Sequence, residues 1–430
     1  MSIASNIAEA GTLSGFGAKR GRAARRSGRR LRVLHVYSDG GSNGGIERTI
    51  ERLAAASLRD EELDVSVACT AGGPLEARLR SAGVRAYPLH TTPRLSQVHL
   101  RPLDPKLSLS YRRILSAERP DLVHVHIGHW EHLGLRMAAG RLVYSFHGYG
   151  SLYQNGWVSD NETGRLRSLT ASRSPRELPL RFAKSAIRLM LKSFLATADR
   201  LTVVSSPELE RLRREGYVPR SLTTDVVPSP VDVATIRRTV AGVDPSEARQ
   251  RFEVPQGARV IVWFARMEPG KDPETAIAAA ERIFDREPNA VLLMAGSGSL
   301  EEATRRRADA SRHHRRIRLL GALNDVAPLL AIADVALFTS EAEGFGLGLI
   351  EAAAAGVPIV TTPVGAALDL FGAGTTGVEV AASPFLAATG DSERFAEKAA
   401  ALIELPPASR SQGLWHSSMG FRSSRGLVMR

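Results

Sequence analysis

The sequence predicts an α/β fold of two doubly wound domains facing a central cleft, and three observations carry that expectation. From residue 31 onward, apolar strand-like runs alternate with helical stretches. Most of the strand-like runs are apolar nearly throughout, as parallel strands covered by helices on both faces must be. The alternation stops at a polar stretch, 233–256, and then begins again. With 430 residues the chain is long for one core and of ordinary length for two.

In the first series the expected strands are 32–37, 63–70, 84–89, 121–126, 142–146, 200–205 and 224–227, with helices among them at 46–57, 131–139 and 180–198. Residues 154–179 are polar, rich in Ser and Arg, and break the pattern, as an inserted loop or lid would. The second series places strands at 259–264, 290–295, 317–320, 335–339 and 358–361, with a further candidate at 377–380. Its helices fit 273–284, 300–310, 326–332 and 347–355. The domain division expected is 31–232, a linker at 233–256, and 257–405, between a basic leader (1–30) and an atypical tail (406–430).

Hydrophobic residues make up 43% and charged residues 24%, the profile of a folded globular chain. No run approaches the ~18 apolar residues that span a bilayer, and the start lacks the apolar core of a signal peptide. Cys69 is the only cysteine, which excludes an internal disulfide and a thiolate metal cluster. The net charge of +12 suggests nucleic acid until it is located. Residues 1–32 hold +7 and residues 406–430 hold +4, leaving a body of +1. A nucleic-acid partner is therefore not expected. The basic leader is expected either to remain solvated or to dock on an anionic membrane surface.

Three segments carry chemistry. The first strand leads into Gly40-Gly41-Ser42-Asn43-Gly44-Gly45-Ile46-Glu47, where glycines let backbone approach a ligand and the next helix aims its free N–H groups at an anion. The glycine spacing matches neither the phosphate-binding P-loop nor the dinucleotide fingerprint. Arg266 and Lys271 follow the first strand of the second series, where open α/β sheets bind ligands, and a planar fork with a point charge suits a diphosphate. Glu343 and Glu351 lie in Glu343-Gly344-Phe345-Gly346-Leu347-Gly348-Leu349-Ile350-Glu351, a strand–turn–helix passage. Such carboxylates either complement a helix N-terminus or accept hydrogen bonds from vicinal hydroxyls.

Together these segments resemble family 4 of the retaining glycosyltransferases, over about residues 31–404. The resemblance implies the GT-B fold of two Rossmann-like domains, an acceptor-side one first and a nucleotide-sugar-binding one second. It implies that Arg266 and Lys271 hold the donor diphosphate. Glu351 would bind the ribose, Glu343 with Gly344, Phe345, Gly346 and Leu347 the donor sugar, and Gly44 and Gly45 would close over the phosphates. Among the crowded histidines His124, His126, His129, His132 and His147, the family position beside the donor sugar is that of His147; His126 is read as structural or acceptor-facing. The catalytic set is thus His147, Glu343, Arg266 and Lys271. No metal and no cofactor are expected, because cations and helix N-termini can stabilise the leaving diphosphate.

The expected function is retaining transfer of a sugar, most simply a hexose, from a nucleotide-sugar to a saccharide or lipid-linked acceptor. Bacterial cell-surface or exopolysaccharide assembly at the inner face of the plasma membrane would suit the basic leader. An inactive or scaffold relative that binds nucleotide-sugar, and a nucleotide-sugar epimerase, are the alternatives. Two departures stand out: Ser229-Pro230-Val231-Asp232 replaces the family's Asn-Gly-Val-Asp, and 406–430 lacks helical periodicity and acidic residues. The tail is read as truncated or out of frame, which puts the activity of this chain in question.

Overall fold

The computed structural model describes residues 29–37, 44–91, 104–127, 135, 140–148, 157–159, 166–168, 189, 192–193, 195–371 and 383–405. The basic leader up to residue 28, the glycine loop before Gly44, the candidate strand 377–380 and the tail lie outside these residues, as do all but Leu135 of the expected helix 131–139 and most of the expected helix 180–198. The chain divides into two compact units, Met1–Asn155 with Ser174–Pro230, and Gly156–Arg173 with Val231–Arg430.

The first unit is built on β1 (Leu31–Tyr37), β2 (Leu63–Thr70), β3 (Arg85–Leu89), β4 (Leu122–Ile127) and β5 (Leu142–Phe146). Within 154–179 lies a short antiparallel pair, β6 (Trp157–Ser159) and β7 (Leu166–Ser168), after which β8 (Arg200–Val203) and β9 (Thr224–Val226) complete the main sheet. Its seven strands run in the order β3-β2-β1-β4-β5-β8-β9, all pairings parallel. Neighbouring residues face opposite cores: Val36 and Ala68 join Phe146, Tyr144 and Leu201 on one side, while Tyr37 and Cys69 join Ile50, Leu75 and Leu79 on the other. Burial on both faces is why these strands read as continuous apolar runs.

The second unit carries β10 (Arg259–Phe264), β11 (Ala290–Ala295), β12 (Ile317–Gly321), β13 (Val335–Phe338) and β14 (Ile359–Thr361). They form a parallel sheet ordered β12-β11-β10-β13-β14. Ile261 and Trp263 pack into one core with helix Pro273–Phe284 and helix Ser392–Glu404. Val262 and Phe264 face the other core with Leu349, Ala352 and Ile359. In both sheets the strand order reverses beside the first strand, between β1 and β4 and between β10 and β13. Loops leaving the carboxyl ends at such a reversal diverge and leave a crevice.

The expected linker 233–256 needs correction. It folds as helices Val233–Ala241 and Pro245–Arg251, and Ala248, Phe252 and Val254 are buried in the second unit's core. Asp232 and Asp244 cap them, accepting from Thr235 N and Ser246 N. Each helix is only two or three turns long and rich in Arg, so periodicity over a long window misses it. Helices Pro74–Ser81, Pro105–Glu118 and Ser206–Arg214 fill intervals between strands, and each has Pro in its first turn. Among the described residues no helix is long and apolar enough to cross a membrane.

Candidate functional site

In the second unit, the loop after β10 is tied down from three sides. The Trp263 indole donates to Thr339 Oγ1 at 3.1 Å, and that hydroxyl reaches the Asp272 carbonyl at 2.7 Å. Glu341 N donates to the Gly270 carbonyl at 2.9 Å, joining the loop to the segment that leaves β13. From the β11 side, Glu268 accepts from Ser299 N and Oγ, and Met267 N donates to the Ser297 carbonyl. Gly296 is required there: a Cβ would lie 1.8 Å from the Ala265 carbonyl oxygen. The loop is therefore preformed and not left to a ligand to order.

This frame presents Arg266 and Lys271. Arg266 is exposed and makes no hydrogen bond or ion pair with a described residue. Lys271 Nζ lies 2.5 Å from Glu343 Oε1, with side-chain exposures of 17% and 21%. Ser340 Oγ donates to the same oxygen at 2.9 Å. Lys271 has three N–H bonds and gives one to Glu343, while Glu343 Oε2 has no partner among the described residues. Donor and acceptor capacity therefore stand side by side at the strand reversal between β10 and β13.

The turn 341–346 leads into helix Leu347–Ala354, whose N-cap, Gly346, supplies no side-chain hydrogen bond. The N–H groups of its first turn have no intrahelical acceptor. Phe345 is buried and its carbonyl accepts from Ala366 N at 2.9 Å, which anchors the turn. Gly348 lets the helix sit on the sheet, since a Cβ there would meet the rings of Phe264 and Phe338 at 3.1 and 3.3 Å. Glu351, eight residues beyond Glu343, is buried with 6% exposure on the same helix. It is neither the N-cap nor in the first turn, so helix capping does not account for it.

Gly44, Gly45 and His147 belong to the first unit. Gly44 is the N-cap of helix Gly45–Ser57, and Glu47 is buried in its first turn, accepting from the Tyr37 hydroxyl at 3.3 Å. The histidines are organised by strand register. His35 on β1 lies opposite His124 on β4, and His126, two residues on, shares that face. His35 Nδ1 lies 2.9 Å from His126 Nε2, and His126 Nδ1 lies 2.7 Å from His147 Nε2. His124 Nε2 instead meets Ser145 Oγ at 2.6 Å. His129 and His132 lie outside the described residues.

Burial lowers all four imidazole pKa values: those of His35 and His147 fall to about 4, and those of His124 and His126 fall well below the ordinary range. Neighbouring imidazoles add to the shift at His124 and His126. Below pH 6.5 the unfolded chain takes up protons that these rings refuse, so stability is expected to fall between pH 6.5 and pH 4. Each ring with such a shift contributes up to about 1 kcal/mol per pH unit. Denaturation midpoints from pH 7.5 to 4.5 check this: His35→Leu should show a shallower acid loss than the wild type.

The sequence reading missed His35, Trp263, Thr339, Ser340 and the Gly296 contact. A polar residue inside an otherwise apolar strand was the available signal for His35, and the indole of Trp263 on a central strand required a buried acceptor. The ligand atoms of His35, His124 and His126 lie within 4.8 Å of one another, close enough for one divalent ion to bridge, and no Asp, Glu or Cys joins them among the described residues.

Two open parallel sheets, each with an order reversal beside its first strand, are the architecture of the GT-B class of fold. Family models agree: residues 244–413 match "Glycosyl transferases group 1" and residues 44–230 match "Glycosyl transferase 4-like domain". The chain belongs to the group 1, family 4-like glycosyltransferases. It is 27% identical over 243 residues to the N-acetyl-alpha-D-glucosaminyl L-malate synthase of Bacillus anthracis, covering 53% of this chain and 61% of that enzyme, so under two thirds of that relative is spanned. It is 24% identical over 318 residues to the Escherichia coli UDP-Gal:alpha-D-GlcNAc-diphosphoundecaprenol alpha-1,3-galactosyltransferase, covering 71% of this chain and 73% of that one. Among solved structures, Anabaena Alr3699/HepE in complex with UDP and glucose has the same fold, with a TM-score of 0.63 and 20% identity over 89% of this chain and 92% of that one.

Proposed function

We propose that the protein transfers a glycosyl group, with retention of anomeric configuration, from a nucleoside-diphosphate sugar bound by the second unit to an acceptor bound by the first. The observation that carries this reading is the Lys271–Glu343 pair, with the exposed Arg266 on the same loop as Lys271. Cleavage of the anomeric C–O bond leaves negative charge on the diphosphate and positive character on the sugar ring. Arg266 and Lys271, with the N–H groups ahead of Leu347, stabilise the departing charge without a metal ion. The Glu343 carboxylate accepts from sugar hydroxyls through Oε2, and Glu351 holds the ribose. Gly44 and Gly45 contribute backbone N–H groups to the phosphates, and His147 gives a polar contact on the sugar or leaving-group side.

A lipid-linked saccharide is the proposed acceptor, by analogy with the diphosphoundecaprenol acceptor in the name of the Escherichia coli relative. The basic leader would supply attraction to anionic lipid at the inner face of a bacterial membrane. A thermal-shift panel of UDP-glucose, UDP-galactose, GDP-mannose and ADP-glucose tests the donor site. One of them is expected to stabilise the wild type and to lose that effect in Lys271→Ala. Stabilisation unchanged in the variant removes the assigned diphosphate site. Interconversion of donor sugars without an acceptor would favour an epimerase, and binding without turnover on any acceptor an inactive relative.

A further inference from the structure

We propose that His126 and His35 are positioning residues that couple the ring tautomer of His147 to their own, so that the hydrogen-bonding polarity its Nδ1 offers the bound sugar is set by the whole chain of rings. The functional part of this inference rests on the role proposed for His147; the coupling itself rests on geometry alone. His126 bridges the other two rings through both of its nitrogens, Nε2 to His35 Nδ1 and Nδ1 to His147 Nε2. The three rings are held by β1, by β4 and by the residue that follows β5, strands in register next to the order reversal. The His126 and His147 rings lie edge to edge, with planes 24° apart and centroids separated by 5.0 Å, the in-line geometry of the Nδ1···Nε2 hydrogen bond.

A neutral imidazole has one N–H and one lone pair. Burial keeps all three rings neutral at pH 7. In a chain of such rings each link needs one donor and one acceptor, and this leaves only two self-consistent states. If His147 Nε2–H donates to His126, then His126 Nε2–H donates to His35 Nδ1, and all three rings carry their proton on Nε2. If His35 Nδ1–H donates instead, all three carry it on Nδ1. Mixed sets leave one link with two protons or with none, which costs the hydrogen bond and buries an unsatisfied group. The Nδ1 of His147, which has no partner among the described residues, is therefore an acceptor in the first state and a donor in the second, and His35, two rings away, changes with it.

The same atoms could be read as a metal site, since His35, His124 and His126 form a compact group. The imidazole chain fits better. The two hydrogen bonds already use the facing nitrogens of His35 and His126, and no carboxylate joins the group to offset a buried divalent charge.

The test uses the full chain with its 11 histidines labelled with nitrogen-15, assigned through His35→Asn, His126→Asn and His147→Asn. Ring-nitrogen shifts should place His35, His126 and His147 in one common tautomer; a mixed set overturns the proposal. Donor turnover, read as release of nucleoside diphosphate from whichever panel donor stabilises the protein most, supplies the functional arm. His126→Phe should lower kcat about 10²-fold, the scale of a misoriented contact, with KM within twofold. His35→Asn, at the far end of the chain, should lower kcat in the same sense and keeps the test open if His126→Phe does not fold. Normal turnover in both variants, with His147→Ala impaired, overturns the positioning role. Normal turnover in His147→Ala instead removes the role proposed for His147, and the tautomer spectrum then decides the coupling alone. Uptake of one equivalent of Zn²⁺ that is lost in His124→Asn would overturn the chain in favour of a metal site.

Discussion

Lys271→Ala is expected to lower donor-dependent turnover by about 10²- to 10³-fold, or ~3 to 4 kcal/mol, the scale of losing one preorganised charge-stabilising group. The reason is positional. Lys271 lies on a loop held by the Trp263–Thr339–Asp272 chain, by the Gly270–Glu341 backbone bond and by Glu268 with Ser299. Its ammonium is therefore placed before the donor arrives and needs no ordering at the moment charge develops on the leaving group. Removing it also strips Glu343 of a cation 2.5 Å away. Lys271→Arg restores charge but replaces a compact ammonium with a larger planar fork, so it should recover only part of the loss. Initial rates of nucleoside-diphosphate release, compared across wild type, Lys271→Ala and Glu343→Gln, check the assignment. Equal loss in the single variants and in the double variant would show that the two groups act as a unit.

Trp263→Ala is expected to be the most destabilising single change in the second unit, by ~3 to 5 kcal/mol. The indole is 1% exposed at the centre of β10, packed among Ile261, Met267 and Ile277, and its N–H reaches Thr339. Truncation leaves a large cavity and takes away a partner of Thr339, the residue that joins β13 to the Lys271 loop. A melting temperature lower by roughly 8 to 15 °C follows for a unit of this size. Trp263→Phe keeps most of the volume and loses only the hydrogen bond, so about 1 kcal/mol is expected. Calorimetry of both variants separates packing from polar anchoring. If the Phe variant melts like the wild type yet turns over more slowly, the bond serves the site rather than the core.

Much of the architecture was legible in order along the chain. Strands at 63–70, 142–146, 259–264 and 290–295 coincide with β2, β5, β10 and β11 because fully buried parallel strands leave an unbroken apolar signature. Helix 273–284 was equally plain, with Asp272 and Pro273 at its start. Part of what escaped notice was short, although helix Ser392–Glu404, 13 residues long and packed into the core, was not named either. Helices Val233–Ala241 and Pro245–Arg251 are brief, and the first has no residue that is fully buried. Periodicity needs several turns to stand out from chance.

The candidate site divides in the same way. Arg266, Lys271, Glu343 and Glu351 were named from their places after strands and from resemblance, because residue type and position after a strand are local properties. That Lys271 meets Glu343, 72 residues apart, follows from β10 and β13 being neighbours in the sheet. The sequence by itself determined which chemistry the chain carries: cations, carboxylates, glycines and imidazoles on loops that leave buried strands. Only the tertiary structure decided which of them touch, including the His35–His126–His147 chain, in which strand register joins residues 91 and 21 positions apart. The physical reason is that side-chain contact depends on strand order and register, and these come from burial of the whole sheet, a non-local quantity that no short window of residues contains.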